Sequence, residues 1–536
     1  MAQHQSKLIQ HLGIIAELCN EVRLAEKIDE LIPKEKRAVS IGQAVQGMIL
    51  NALGYAGRAL YLTKRFFVNR PVEQLIGPDV TAEQFNDAAL GTALDSIYKY
   101  GVTELFFQIA SKILREQGIE TRFAHLDSTT FTLHGEYNSE CEDIPEGLIH
   151  ITKGYSKDNA PDLNQVVVQL ICSNHSSIPM WLEALSGNTS DKKSFAKTVK
   201  EFQKQFKAKE MPFIVMDSAF YSEKNIVECR DLKWVTRVPE TVKEVKALYS
   251  SIDRDSMTIA GNGYRYFPVE SDYGDVQQRW LIVHSEHAFE REIKTFKKNL
   301  EKARERNAID LKHIRNQVFA CEADARKAAE RFSKKFRYQN LEIQIIEKGR
   351  FGAKGRPKKG DVAEKSDWYI GGTLVDDQTA IKAAEMTKGM FVIATNELDK
   401  SVLSDLELLA VYKDQGVSVE RGFRFLKDPM FYAESLYLKK PERIMALIMV
   451  MTLSLLVYSL AERRVRKALA DKHENIWDQK NRLTNRPTIR WVCMIFEDVL
   501  LLYHDANSVG EPMNIREEHV RLLESLGPGY KKMYFL

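Results

Sequence analysis

The sequence is short of cysteine, of net charge and of low-complexity tracts, and each shortage removes a class of protein. Six cysteines, Cys19, Cys141, Cys172, Cys229, Cys321 and Cys493, are scattered over 536 residues, and no two form a Cys-x2-Cys pair. A disulfide framework or a structural zinc site is therefore not expected, and a reducing cytoplasm is the expected compartment. His284 and His287 form a His-x2-His pair with no cysteine nearby and read as a surface turn. The N-terminal segment has no basic start, apolar core or small-residue cleavage site, so no signal peptide is expected there. No internal repeat is visible. Lys and Arg number 77 against 74 Asp and Glu, a formal charge of +3, so any nucleic-acid binding must rest on local basic clusters. With 44% hydrophobic and 28% charged residues the chain is globular throughout, and its length calls for two to four folded units.

Apolar runs long enough for a membrane are nearly absent too. The exception is Ile444 to Ala461, eighteen mostly apolar residues at the lower limit for a span. It carries Thr452, Ser454, Tyr458 and Ser459, stands alone and is flanked by charge. It reads as the centre of a large core, and no membrane is expected.

What is present changes character along the chain. Residues 1–115 have apolar positions at helical spacing, as in LIQHLGIIAELC and IGQAVQGMILNAL, with a helix start expected at Thr81. Lys64, Arg65, Phe66, Phe67 and Arg70 make a basic-aromatic patch that suits a helical surface and a DNA contact equally. From 121 the texture becomes that of strands: TRFAHLDSTTFTLHG, NQVVVQLICSN and IPMWLEALSG. A helix opens at Asp191, PFIVMDSAF is a buried-type strand ending in an acid, and WVTRVP follows a further short helix. This order predicts a mixed α/β sheet whose first three strands form a meander. Residues 240–385 interrupt it with strand-like pieces and a charged helical stretch from about 286 to 335, with a hairpin bend expected at Asn307 to Asp310. GMFVIATNE marks a return to the main sheet, and helices dominate from 401 onward.

The chemistry is expected from acids in apolar surroundings. Asp127 lies inside FAHLDSTTF and Asp217 closes FIVMD. A buried carboxylate costs free energy unless it is paired or binds a metal. A third acid, Glu420, lies on a helix expected from Asp414 or Ser418 to Pro429, where Val419, Phe423 and Leu426 form an apolar face and Glu420 borders it, partly buried. Lys427 is seven residues on and so shares the Glu420 face, while Arg421 and Arg424 form a neighbouring basic stripe. Three carboxylates suit two Mg²⁺ or Mn²⁺ ions on one phosphate, with separations of roughly 4 Å. His125 and His134 flank the first acid and read as structural.

These residues resemble a DDE transposase of a bacterial insertion sequence. The family places its first Asp on the first strand of a ribonuclease H-like core, its second just after the fourth strand and its Glu on a later helix, often after an inserted domain. Asp127, Asp217 and Glu420 match in order and element type, and the gap of 203 residues (420 − 217) matches the subgroup with a large insertion. That subgroup carries Tyr-x2-Arg-x3-Glu-x6-Lys. Glu420 and Lys427 fit it, whereas Lys413 stands at the Tyr position with Tyr412 one place early, and Gly416 stands at the Arg position. HLDSTTF, GYSKDNAPDLNQ (154–165), SGNTSD (186–191), FVIATNE and RFLKDP are similar to the subgroup as well.

The resemblance implies a ribonuclease H-like mixed sheet with flanking helices, a helical N-terminal domain and an inserted α+β module. The expected map is a helical domain over 1–118, the core over 119–239 and 386–465, the insertion over 240–385 and a helical region over 466–536. Metal-dependent strand cleavage and transfer on double-stranded DNA are implied, with catalytic and metal-binding Asp127, Asp217 and Glu420, two Mg²⁺ or Mn²⁺ ions and a homodimer on paired ends. The cell would be bacterial or archaeal and the protein nucleoid-associated. Lys427, Arg421, Arg424, Tyr412 and Lys157 are candidate DNA contacts, as is Arg356 in the basic run KGRPKKG. Lys153 and Asn164 accompany Lys157, and the basic stretch 461–472 suits either DNA or a solvated face. The rival readings are a ribonuclease H-like nuclease without strand transfer and a non-catalytic, transposase-derived DNA-binding protein.

Overall fold

The computed structural model describes residues 5–33, 38–55, 62–134, 137, 145, 147–157, 160–174, 177–208, 210–350, 363, 365–428, 438–505 and 508–536. The chain forms two compact units, one of Met1–Thr236, Asp272–Gln278 and Thr395–Leu536, the other of Arg237–Ser271 and Arg279–Ala394.

The first unit is built on five strands: β1 (Phe123–Leu133), β2 (Asn164–Ser173), β3 (Pro179–Ser186), β4 (Phe213–Met216) and β5 (Trp234–Val238). Their order in the sheet is β3-β2-β1-β4-β5. β1, β2 and β3 pair antiparallel as the expected meander, and β4 joins β1 in parallel, as does β5 to β4. The sheet is mixed and ribonuclease H-like, with helices on both faces. Nine of the ten β2 residues are buried, among them the polar Gln165, Gln169 and Ser173.

On one face lies α1 (Asp191–Gln203). Gln169 of β2 donates to Ser194 Oγ at 2.6 Å and accepts from Thr198 Oγ1 at 2.6 Å, which fixes the helix to the strand. Two further helices, α2 (Asp405–Leu426) and α3 (Pro441–Asp471), complete the core. α2 packs on β1, β2 and β4, and α3 on β3 and on the N-terminal helices Leu12–Glu21, Ile41–Leu53, Asp87–Tyr100 and Val102–Glu116. α2 begins nine residues before the earlier of the two expected starts (414 − 405), because Ser404 caps it through Glu407 N and acids fill its first turn. The long apolar run lies within α3, the one described helix apolar and long enough to cross a membrane, and 89% of its most apolar window is buried inside the protein.

Several local expectations need correction. The N-terminal region is helical except for a short strand, Gln5–Leu8, which pairs with Leu500–Tyr503. Thr81 caps only a three-residue 3-10 turn, and the full helix starts behind Asn86. Phe66 and Phe67 are fully buried and Arg70 stacks on Phe66, so the aromatic part of that patch is core. The region after 401 also holds short strands, Ile476–Trp477, Leu483–Thr484, Leu500–Tyr503 and Glu511–Met513.

In the second unit, strands Met390–Thr395, Gln278–Ser285, Tyr264–Ser271 and Thr258–Gly261 lie side by side in that order. Helix Glu286–Arg315 runs unbroken through the expected bend at Asn307 to Asp310, and the turn comes after Arg315, before helix Glu322–Ser333. His284 is a buried strand residue and His287 lies in the first turn of the helix, not in a surface turn. Leu311, Ile314, Ala325, Ala329, Phe332, Leu341 and Ile370 form a separate core beneath the antiparallel pair Gln339–Arg350 and Lys365–Asp376. Arg356 and the run KGRPKKG lie outside the described residues.

Candidate active site

Register brings the first two acids together. β1 and β4 are parallel neighbours in which His125 is level with Val215. Two residues on, Asp127 lies within β1 and Asp217 is the first residue after β4, and the Asp217 charge helps to raise the pKa of Asp127, so the two carboxylates are near each other. Ser128 points the other way, toward α1, together with its cross-strand partner Gln169.

Both carboxylates are mostly withdrawn from water. Asp127 keeps 23% of its side-chain exposure. Burial pushes its pKa up to about 6, against the opposing pull of Lys157 and of the Ser128 N–H that Oδ1 accepts at 2.7 Å. Burial raises Asp217 too, although Oδ1 accepts the Ala219 N–H at 2.9 Å. Thr236 Oγ1 donates to the Asp217 carbonyl at 2.7 Å and ties the residue to β5.

A third acid joins this pair that the sequence reading took only as a helix start. Asp191, at the first position of α1, accepts the Ser128 hydroxyl at 2.5 Å. Lys157 sits among the acids, with Nζ 3.1 Å from Asp191 Oδ2 and 3.8 Å from Asp127 Oδ1. The segment that carries Lys157 is strapped down. Gln165 Nε2 donates to the carbonyls of Gly187 at 2.7 Å and Tyr155 at 3.2 Å, and Lys157 N donates to Thr130 Oγ1 at 3.3 Å. A Cβ on Gly154 would lie 2.1 Å from the Gly187 carbonyl oxygen, and one on Gly187 2.1 Å from that of Gln165, so both positions need glycine for the close approach. The fragments GYSKDNAPDLNQ and SGNTSD were the signal: they are the two sides of one contact that delivers Lys157 and Asp191 to Asp127.

Glu420 stands apart from this cluster. It lies on α2 and is exposed, not partly buried as its place beside the apolar face suggests, while Val419, Phe423 and Leu426 are buried as expected. Among the described residues no three His, Cys, Asp or Glu side chains form a group able to hold a metal ion. Arg424 is exposed one turn beyond Glu420, and Lys427, partly exposed, caps the helix. Arg421 turns elsewhere: it donates to Glu462 of α3 at 2.5 Å. Tyr412 is partly buried two turns before Glu420. His125 is buried with Nε2 3.0 Å from Asn174 Oδ1, and His134 is exposed. Arg464 and Arg466 in the basic stretch 461–472 pair with Glu21 and Glu462.

The donor set fits hard divalent cations. It offers the partly desolvated carboxylate oxygens of Asp127, Asp217 and Asp191, with the Lys157 ammonium beside two of them.

Comparison with known proteins bears on the same residues. Residues 120–457, more than half of the chain, match the family model described as a transposase DDE domain. Residues 4–111 match a model described as a domain of unknown function. No curated protein matches. Among solved structures, a cryo-EM structure of the piggyBac transposase synaptic complex with hairpin DNA aligns with TM-score 0.35 and 9% identity, over 98% of this chain and 88% of that one, a likeness too slight to carry argument.

Proposed function

The chain belongs to the DDE transposase family, and on that premise we propose that it cuts DNA at the ends of an insertion sequence and joins the freed ends to target DNA. The observation that carries this reading is the placement of Asp127 within β1 and of Asp217 directly after its parallel neighbour β4. Asp127 and Asp217 would hold the divalent ions, Mg²⁺ or Mn²⁺, and Glu420, which stands apart from them on α2, would be the third ligand. Bound ions supply activation of the attacking oxygen and neutralisation of the leaving one. Water attacks the phosphorus at the element end, the bond to the 3′ oxygen breaks, and a 3′-OH and a 5′-phosphate remain. The 3′-OH then attacks a phosphodiester of the target.

The remaining groups position DNA. Lys427 and Arg424 lie on the Glu420 side of α2 and serve as charges for phosphate oxygens. Arg421 is committed to Glu462 and acts through the helix, not on DNA. The working form is a homodimer on paired ends, in the cytoplasm at the nucleoid.

The test uses duplexes carrying the DNA that flanks the gene. Asp127→Asn, Asp217→Asn and Glu420→Gln should each abolish cleavage and keep duplex binding within about twofold, since removing an acid adds no repulsion to phosphate. Cleavage that survives any of them overturns the assignment of that acid. A pre-cut end with a free 3′-OH should join to a plasmid. Cutting without joining would make the protein a nuclease.

A further inference from the structure

Lys157 Nζ is surrounded by oxygen. It donates to the Ser128 carbonyl at 2.7 Å and to Ser128 Oγ at 2.7 Å, and it lies 3.1 Å from Asp191 Oδ2 and 3.8 Å from Asp127 Oδ1. Four oxygens from β1 and the first residue of α1 thus face one ammonium. Ser128 Oγ donates its own hydrogen bond to Asp191 Oδ1 at 2.5 Å, so the ring is closed by hydrogen bonds. Only a third of the Lys157 side chain is exposed.

An ammonium held by this many oxygens meets the surroundings that a hard cation needs. We propose that Lys157 is the resident counter-cation of the acid cluster, which offsets part of the charge of Asp127 and Asp191 before metal is bound and is displaced when a divalent ion enters. The inference rests on the reading of Asp127 as a metal ligand. With Nζ 3.8 Å from Asp127 Oδ1, Lys157 would repel an ion bound to that carboxylate in this partly desolvated site. The lysine therefore competes with the ion for Asp127. Its four-carbon stem lets it swing clear, and the Gly154–Gly187 contact keeps its backbone in place while it does so.

The probe is Mn²⁺ alone, titrated into the full-length protein without DNA and followed by electron paramagnetic resonance and calorimetry. Lys157→Met should bind Mn²⁺ about tenfold more tightly than the wild type, the direction expected when a like charge is removed. The metal-free variant should melt at a lower temperature, and Mn²⁺ should restore more of its stability than it gives the wild type. Lys157→Gln, which keeps a donor for Ser128, should show the same gain in affinity and serves if the Met variant does not fold. Lys157→Arg, which keeps the charge, should stay near the wild type. Unchanged or weaker Mn²⁺ binding in folded Met or Gln variants overturns the proposal and makes Lys157 a structural ion-pair partner. If wild-type binding is itself unaffected by Asp127→Asn, the assignment of Asp127 as a ligand falls, and the competition with it.

Discussion

At Asp127 the ionised form is held at a cost that a metal ion would remove. Its folded pKa of about 6 lies above the ordinary value of about 3.9 expected in the unfolded chain. A raised pKa favours the protonated folded state, so this contribution is fully present below about pH 4 and is lost as pH rises through 6. At pH 8 the metal-free protein is weaker by ~2 kcal/mol, allowing for the partial exposure of the group. Asp127→Asn should therefore raise the melting temperature in chelator at pH 8 and leave it nearly unchanged at pH 4. Equal shifts at both pH values would show that charge is not the cause. Lys427 behaves differently, since it caps α2 at its exposed end. Lys427→Ala should leave the fold intact, weaken binding to element-end DNA and lower the salt slope by about one phosphate contact. A variant that melts early yet binds DNA normally would make Lys427 a structural residue.

The element that must hold Glu420 in place is α2, and its anchor is a buried acid on α3. Glu462 keeps 6% of its side-chain exposure and takes Arg421 at 2.5 Å, Arg466 at 2.8 Å and the Ile489 N–H at 3.2 Å. Glu462→Gln would leave two guanidinium groups facing a neutral amide, at a cost of about 3 kcal/mol. Strand cleavage should fall with it while DNA affinity changes little, because the loss acts through the placement of Glu420. A variant with wild-type cleavage rates would show that α2 does not need this anchor. The elements were legible in the sequence where local pattern decides. β2 carries the β-branched run Val166, Val167 and Val168, and Val419, Phe423 and Leu426 repeat at helical spacing, so both are visible without neighbours. The acid cluster was legible only in part. Asp127 and Asp217 stand out as acids in or directly after apolar strands, but Asp191 reads locally as a helix start and reaches Ser128 across 63 residues, a contact that no local pattern shows. The bend expected at Asn307 to Asp310 failed because Asn and Asp on an exposed helix face cost little, and neither Gly nor Pro is there to break the helix. Strand Gln5–Leu8 exists only because Leu500–Tyr503 pairs with it, at the far end of the chain.

At the scale of the molecule, α3 makes the first unit one body. Its eighteen apolar residues look like a membrane span because they are buried on all sides, by β3, by four N-terminal helices and by helix Glu517–Leu526. Thr452, Ser454 and Ser459, all buried, satisfy their hydroxyls on the carbonyls of Ile448, Val450 and Ser177. The N-terminal region that matches its own family model and the core that matches the transposase model therefore share one apolar interior around this helix. Leu456 is fully buried near its middle. Leu456→Ala should cost about 2 to 5 kcal/mol through the cavity it leaves. If the interior is shared, the loss should appear equally in both regions. Native-state hydrogen exchange should show amides of Ile41–Leu53 and of β1 losing protection by the same amount. The protein should also remain in solution, without detergent, after high-speed sedimentation. Loss of protection confined to the N-terminal helices would mean that they fold as a separate layer on a core that stands without them.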